Sequence, residues 1–273
     1  MIVAMEEELE VAKKLAVAAG SILMDYFAQN VSVDWKAPGD PVTVADREAN
    51  EFIVTGLRNE FPGHGILSEE EEDDFVRLER THVWMIDPMD GTREFIEHRE
   101  DFAVQIGLVT EGIPVLGVVY QPTKDKLYYA AAGSGAFLEA AGVKTPLQIS
   151  REDTASRLVL AVSRSHRSRR IETIRDRLRI TETIEMGGVG LKVGLVCEGR
   201  AHIYVHPGGK TKLWDTCAPE AILREAGGRM TDVMNNPLQY HTKELRNLHG
   251  LVATNSTLHD RVITVTQSVL ATS

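Results

Sequence analysis

The chain has 273 residues, of which 43% are hydrophobic, and a formal net charge of −10, so it can bury a large core without disulfides. The acidic balance argues against a surface that attracts a nucleic-acid polymer, and no stretch approaches the roughly 20 apolar residues of a membrane span. Its two cysteines, Cys197 and Cys217, fall in stretches typical of buried helix, and residues 1–8 resemble no secretory signal. We therefore expect a cytoplasmic protein without membrane or nucleic-acid partners.

The first half of the chain predicts helices followed by strands. Apolar residues at steps of three and four predict two helices, separated by turn residues at 36–41, over 9–27 and 49–57. Short runs of β-branched and aromatic residues then predict four strands over 83–86, 104–109, 115–120 and 127–131. This order indicates an α+β half over residues 1–150.

The second half, residues 151–273, alternates between the two patterns. Strands are predicted over 158–162 and 201–205. Helices are predicted over 171–178, 189–197 and 217–226. The alternation indicates an α/β half.

The stretch over 84–92 is an apolar run that ends in two aspartates, Asp87 and Asp90. Pro88 cannot donate to a strand ladder and Gly91 permits close backbone approach, so both carboxylates can converge with a backbone carbonyl at a strand end. Hard oxygen ligands of this kind suit magnesium. The same residues also fit two ordinary turns, Asp-Pro and Asp-Gly.

Three further acidic residues lie at the ends of predicted elements. Glu69 follows an apolar pair and can reach the same cation, whereas the acidic run over 71–74 is typical of a solvated surface. Thr43 and Asp46 fit a capping box at a helix start. Asp215 opens a predicted helix, where it fits an N-cap. Each residue has an ordinary structural role, and it is their number that favours a metal site.

In this order the motifs resemble the inositol monophosphatase superfamily of lithium-sensitive, magnesium-dependent phosphomonoesterases. The resemblance covers residues 36–255 and is carried by the segments 40–46, 67–70, 84–92 and 214–228. Ser68 departs from the family, which usually has glycine before the glutamates. The resemblance implies a layered αβαβα sandwich of the sugar-phosphatase type, two or three magnesium ions and a small phosphorylated substrate, and it allows a homodimer.

The resemblance also implies roles for individual residues. The implied metal ligands are Glu69, Asp87, the Met89 carbonyl, Asp90 and Asp215. Asp46 would act as a base through the Thr92 hydroxyl. The backbone N–H groups of Gly91 and Thr92 would hold the scissile phosphate.

Within the superfamily, three details resemble the 3'(2'),5'-bisphosphate nucleotidases, which convert 3'-phosphoadenosine 5'-phosphate to AMP. A basic residue follows the Gly-Thr pair, a Ser-His segment lies near residue 165, and a glycine-rich stretch ends in lysine. The substrate contacts that this likeness implies are Arg93, Ser165, His166, Gly188 and Lys192.

Two other functions remain open at this stage. An inositol-1-phosphate or fructose-1,6-bisphosphate phosphatase would share the metal site. A non-catalytic sensor of nucleotide or sugar phosphates would keep the fold, but it would not need the water-activating pair of Asp46 and Thr92.

Overall fold

The computed structural model describes residues 5–29, 33–37, 40–164 and 168–272. Its α-helices are α1 (Glu6–Phe27), α2 (Val44–Glu60), α3 (Thr92–Ile96), α4 (Arg169–Leu178), α5 (Val189–Cys197), α6 (Leu213–Glu225) and α7 (His259–Ala271). Its strands up to residue 147 are β1 (Val33–Ala37), β2 (Asp40–Thr43), β3 (Gly65–Ser68), β4 (His82–Asp90), β5 (Ala103–Thr110), β6 (Ile113–Gln121), β7 (Lys126–Ala131), β8 (Gly135–Ala140) and β9 (Val143–Leu147). The later strands are β10 (Val159–Ser163), β11 (Glu182–Met186), β12 (Ile203–His206), β13 (Arg229–Thr231) and β14 (Leu251–Thr254).

The strands form two large sheets and one hairpin. Strands β3 to β9 lie side by side in chain order, with β3 and β4 parallel and the other neighbours antiparallel. The second sheet has the order β11-β10-β12-β14-β13, in which β10 runs parallel to both of its neighbours. The hairpin of β1 and β2 leads directly into α2.

The elements stack in five layers, as the resemblance implied. Helices α1 and α2 cover one face of the large sheet, α5 and α6 lie between the sheets, and α4 and α7 cover the outer face of the second sheet. Successive side chains of a strand point to opposite faces. Trp84 and Ile86 of β4 accordingly join the core under α1 and α2, whereas Val83 and Met85 join the core around α5 and α6.

Glycine allows α6 to lie directly on the large sheet. A Cβ atom on Gly117 of β6 would overlap the carbonyl oxygen of Ala218 in α6. A larger residue would therefore push the helix away from the sheet. This close packing fixes the position of the first turn of α6, which carries Asp215.

Most predicted elements are confirmed, although several differ in extent. Residues 36–37 and 40–41, which were predicted as turn, lie in β1 and β2. Strand β4 continues past residue 86 to Asp90, because a bulge between Asp87 and Asp90 accommodates Pro88. Helix α6 starts at Leu213, four residues before its predicted start.

Several elements of the described chain were not predicted, namely α3, α7, β1, β2, β8, β9, β11, β13 and β14. The division into halves at residue 150 stays a prediction. Both cysteines are buried free thiols, as expected. Within the described ranges, none of the helices has the length and apolar character that crossing a bilayer requires.

Candidate active site

The end of β4 presents the two predicted aspartates at its bulge. Asp87 and Asp90 are 2% and 8% exposed. The Met89 backbone N–H donates to Asp87 Oδ1 over 3.0 Å, so the bulge is held by the side chain of the first aspartate. Because Pro88 has no N–H to donate, pairing with β5 is interrupted where the carboxylates lie.

The carboxylates of different elements lie close enough for the charge of one to raise the pKa of another. Burial raises the pKa of Asp87 well above its ordinary value, and the negative charges of Glu69, Asp90 and Asp215 raise it further. Burial also raises the pKa of Asp215, with added contributions from Glu69 and Asp90. Buried like charges are costly without compensating cations. The cluster is therefore suited to hold divalent cations.

The donor set fits magnesium. It consists of carboxylate and carbonyl oxygens, the ligands that hard cations prefer. In the part of the chain that the structure describes, no three acidic, histidine or cysteine side chains enclose a single cation position. Magnesium is commonly bound by one or two carboxylates together with waters and substrate phosphate.

Asp90 is oriented by hydrogen bonds from residues of β5 and α5. Its Oδ2 accepts the Gln105 Nε2–H over 2.7 Å and the Gly190 backbone N–H over 2.8 Å. A Cβ atom on Gly188, whose φ is 56°, would lie 2.6 Å from the same oxygen, so only glycine fits there. Burial raises the pKa of Asp90 to about 6, although the Lys192 charge opposes the rise.

Gln105 was missed by sequence reasoning. It is fully buried in β5, and its amide oxygen has no hydrogen-bond partner among the described residues. The signal was a polar residue within the apolar run 104–109, because a buried polar side chain needs a partner to be tolerated. The register of β4 and β5 pairs Gln105 with Asp87, and only the side-chain contact across the bulge shows that Asp90 is that partner.

Asp46 uses its two oxygens for different contacts. Its Oδ2 accepts the Thr43 backbone N–H and the Thr43 hydroxyl, each over 2.7 Å, which forms the predicted capping box of α2. The Thr92 hydroxyl lies 3.2 Å from Asp46 Oδ1 and also 3.2 Å from the Met89 carbonyl oxygen, so it can donate to either. Burial raises the pKa of Asp46 to about 7. Capping and a contact with Thr92 are therefore compatible.

Asp215 lies inside α6, which corrects its predicted N-cap position. The N-cap residue is Lys212, and the Asp215 carboxylate accepts the Lys212 backbone N–H over 2.8 Å. Asp215 is thus the third helical residue, which reaches back to the start of the helix. The Lys212 ammonium lies 3.5 Å from Glu69 Oε1. Lys212 thus contacts both Asp215 of α6 and Glu69, which follows β3.

The predicted substrate contacts have different surroundings. Lys192 is 3% exposed, and burial lowers its pKa although Asp90 is the strongest of several acidic residues that oppose the shift. Arg93, in the first turn of α3 and two residues after the left-handed Gly91, is half-buried, and its guanidinium forms no hydrogen bond or ion pair with another described residue. Ser165 and His166 lie outside the described residues.

Sequence and structure comparisons find similar proteins along nearly the whole chain. The model of the "Inositol monophosphatase family" matches residues 4–271. The chain is 38% identical to the 3'(2'),5'-bisphosphate nucleotidase CysQ of Escherichia coli O157:H7 over 85% of this chain and 93% of that protein. It is 30% identical to the inositol-1-monophosphatase of Bacillus subtilis strain 168, over 93% and 94% of the two chains. The crystal structure of CysQ from Bacteroides thetaiotaomicron has a TM-score of 0.80 at 32% identity, covering 92% of this chain and 98% of that one.

Proposed function

The chain belongs to the inositol monophosphatase family and is a phosphoric monoester hydrolase, and we propose that it is a magnesium-dependent 3'(2'),5'-bisphosphate nucleotidase. Its substrate would be 3'-phosphoadenosine 5'-phosphate, from which it removes the 3'-phosphate to give AMP. The observation that carries the proposal is the buried carboxylate cluster with Asp46 and Thr92 in contact beside it. A protein that only binds phosphates has no need of such a base.

The metal ligands in this proposal come from two elements, β4 and α6, and from the segment after β3. Glu69, Asp87, Asp90, Asp215 and the Met89 carbonyl would hold two or three ions. Magnesium at such a site supplies Lewis acidity and neutralises the charge of the phosphate during an in-line displacement.

The remaining chemistry belongs to side chains of this chain. The Thr92 hydroxyl would take a proton from the attacking water as it donates its own to Asp46 Oδ1, over the 3.2 Å contact between them. The bond from phosphorus to the 3'-oxygen would then break, and solvent would protonate the departing oxygen. Asp46 can accept this proton because its other oxygen holds the capping bonds. A pKa of about 7 suits a base that works near neutral pH.

Arg93 is the proposed contact for the second phosphate, and Gly188, Ser165, His166 and Lys192 are the other substrate contacts that the likeness implies. We place Arg93 first, since its guanidinium is half-buried and has no partner among the described residues. Arginine binds phosphate through paired N–H groups. Lys192 is buried close enough to Asp90 for its charge to lower the pKa of that carboxyl. Direct contact with a ligand would therefore require a rearrangement. The backbone N–H groups of Gly91 and Thr92 would donate to the scissile phosphate.

Phosphate release from a substrate panel tests this function. The purified chain with magnesium should hydrolyse 3'-phosphoadenosine 5'-phosphate with a higher kcat/KM than inositol 1-phosphate or fructose 1,6-bisphosphate. Exhaustive chelation should abolish turnover, and calcium should inhibit because its looser geometry misplaces the reacting oxygens. Faster release from inositol 1-phosphate would favour that phosphatase activity instead. Tight binding without any release would indicate a sensor.

A further inference from the structure

Lys212 places an ammonium group beside the acidic cluster. Its Nζ lies 3.5 Å from Glu69 Oε1, and the two side chains are only 25% and 17% exposed. Its backbone N–H donates to Asp215, and its positive charge lowers the pKa of that carboxyl, in opposition to the larger effect of burial. One residue thus interacts with two of the proposed metal ligands.

We propose that Lys212 is an internal counter-cation that sets the magnesium affinity of the site. This inference rests on the proposed metal ligands Glu69 and Asp215. The ammonium balances Glu69 while no divalent cation is bound. When Glu69 becomes a metal ligand, the ammonium either moves away or stays a few ångströms from a dipositive ion. Both alternatives cost binding free energy, because the first breaks an ion pair and the second adds repulsion between like charges.

The ammonium makes a second favourable contact in the same position. The indole ring of Trp214 lies 5.0 Å from the Lys212 ammonium and is itself 4% exposed. A cation over the face of an indole is stabilised by the ring quadrupole. Lys212 can therefore keep this contact after it separates from Glu69. The ion pair is reversible, so it weakens metal binding without blocking the site.

Isothermal titration calorimetry of magnesium binding to the full chain tests the inference without relying on turnover. Lys212→Met removes the charge and keeps much of the apolar stem, so magnesium should bind about three- to thirtyfold more tightly than to the wild type. Lys212→Arg keeps the charge and should not tighten binding. Lys210→Met is the matched control, since it removes an exposed lysine two residues away and should leave the dissociation constant unchanged.

Thermal unfolding gives a second readout. Without magnesium, Lys212→Met should melt at a lower temperature than the wild type, because Glu69 and Asp215 lose their compensating charge. Saturating magnesium should remove most of this difference, since a ligand that binds the folded state more tightly stabilises it more. The magnesium-induced rise in Tm should therefore be larger in the variant. If Lys212→Met does not fold, Lys212→Gln provides the same measurements.

Several results would overturn the inference. Magnesium affinity that is unchanged or weaker in Lys212→Met would mean that the lysine does not oppose the metal. An equal gain in Lys210→Met would reduce the effect to general surface charge. A wild-type chain that binds no magnesium would refute the metal site and the inference together. Magnesium binding that tightens in the variant, in a chain that releases no phosphate, would instead refute only the proposed function.

Discussion

Asp46→Asn separates the catalytic role of Asp46 from its capping role. In the wild type, Oδ2 carries both bonds from Thr43 and Oδ1 receives Thr92. The asparagine amide oxygen can replace Oδ2 and keep the cap, which places its NH₂ group against the Thr92 hydroxyl. A donor then stands where the proton acceptor was, so transfer of the Thr92 proton to this side chain is lost.

The expected magnitudes follow from these contacts. Loss of general-base assistance should lower kcat by ~10²–10⁴. Stability should be unchanged or slightly higher, because the variant no longer buries a carboxylate whose pKa burial raises to about 7. Phosphate release under saturating magnesium measures the first effect, and thermal unfolding of the same preparations measures the second.

The matched control is Thr43→Val, which deletes the capping hydroxyl and leaves the Asp46 carboxylate in place. It should cost about 1 kcal/mol of stability, as expected for a lost N-cap, and reduce the rate far less than Asp46→Asn. A near wild-type rate in Asp46→Asn would refute the base assignment. In that case Asp46 would serve only as part of the capping box.

Three further predictions concern the substrate, the packing and the pH dependence. Lys192→Met should lower kcat/KM about tenfold for 3'-phosphoadenosine 5'-phosphate and for inositol 1-phosphate alike, since the lysine compensates Asp90; a loss confined to the bisphosphate would support direct contact with the second phosphate. Gly117→Ala should lower the free energy of unfolding, measured by chemical denaturation, by about 1–3 kcal/mol, because the new methyl group would overlap α6. An unchanged denaturation midpoint would contradict this packing. Burial raises the pKa of Glu220 to about 7, despite the hydrogen bond from Tyr240. The folded state therefore holds this proton better than the unfolded chain, and the resulting stability is lost as the pH rises through about 7. Relative to Glu220→Gln, the free energy of unfolding of the wild type should fall by up to about 3 kcal/mol between about pH 5 and pH 8. Parallel pH profiles of unfolding free energy for the two proteins would argue against the raised pKa.

The sequence by itself determined the features that depend on local spacing. Apolar steps of three and four located α1 and α2, since a helix places such residues on one face. The Thr43 and Asp46 pair identified the start of α2, because a capping box closes within four residues. The order of the acidic motifs was sufficient for the family resemblance, which the comparisons confirm.

Elements with weaker local signals were not found. Strand β13 has three residues and β14 has four, too few to establish an alternating pattern. Strand β11 contains two glutamates among its five residues, which obscures its apolar positions. Their place in the second sheet depends on pairing rather than on their own composition, since β11 pairs with β10, β14 with β12, and β13 with β14.

Only the tertiary structure decided which charged and polar side chains meet. Glu69 follows β3, whereas Asp215 lies in α6, and their mutual repulsion arises because the helix packs directly on the glycines of the large sheet. The same packing brings the Lys212 ammonium to Glu69. The Gln105 amide reaches Asp90 across the β4 bulge, although the strand register pairs Gln105 with Asp87. Burial changes the expected role of Lys192. Local spacing cannot predict such contacts, because they join residues that are distant in sequence and depend on how whole layers pack.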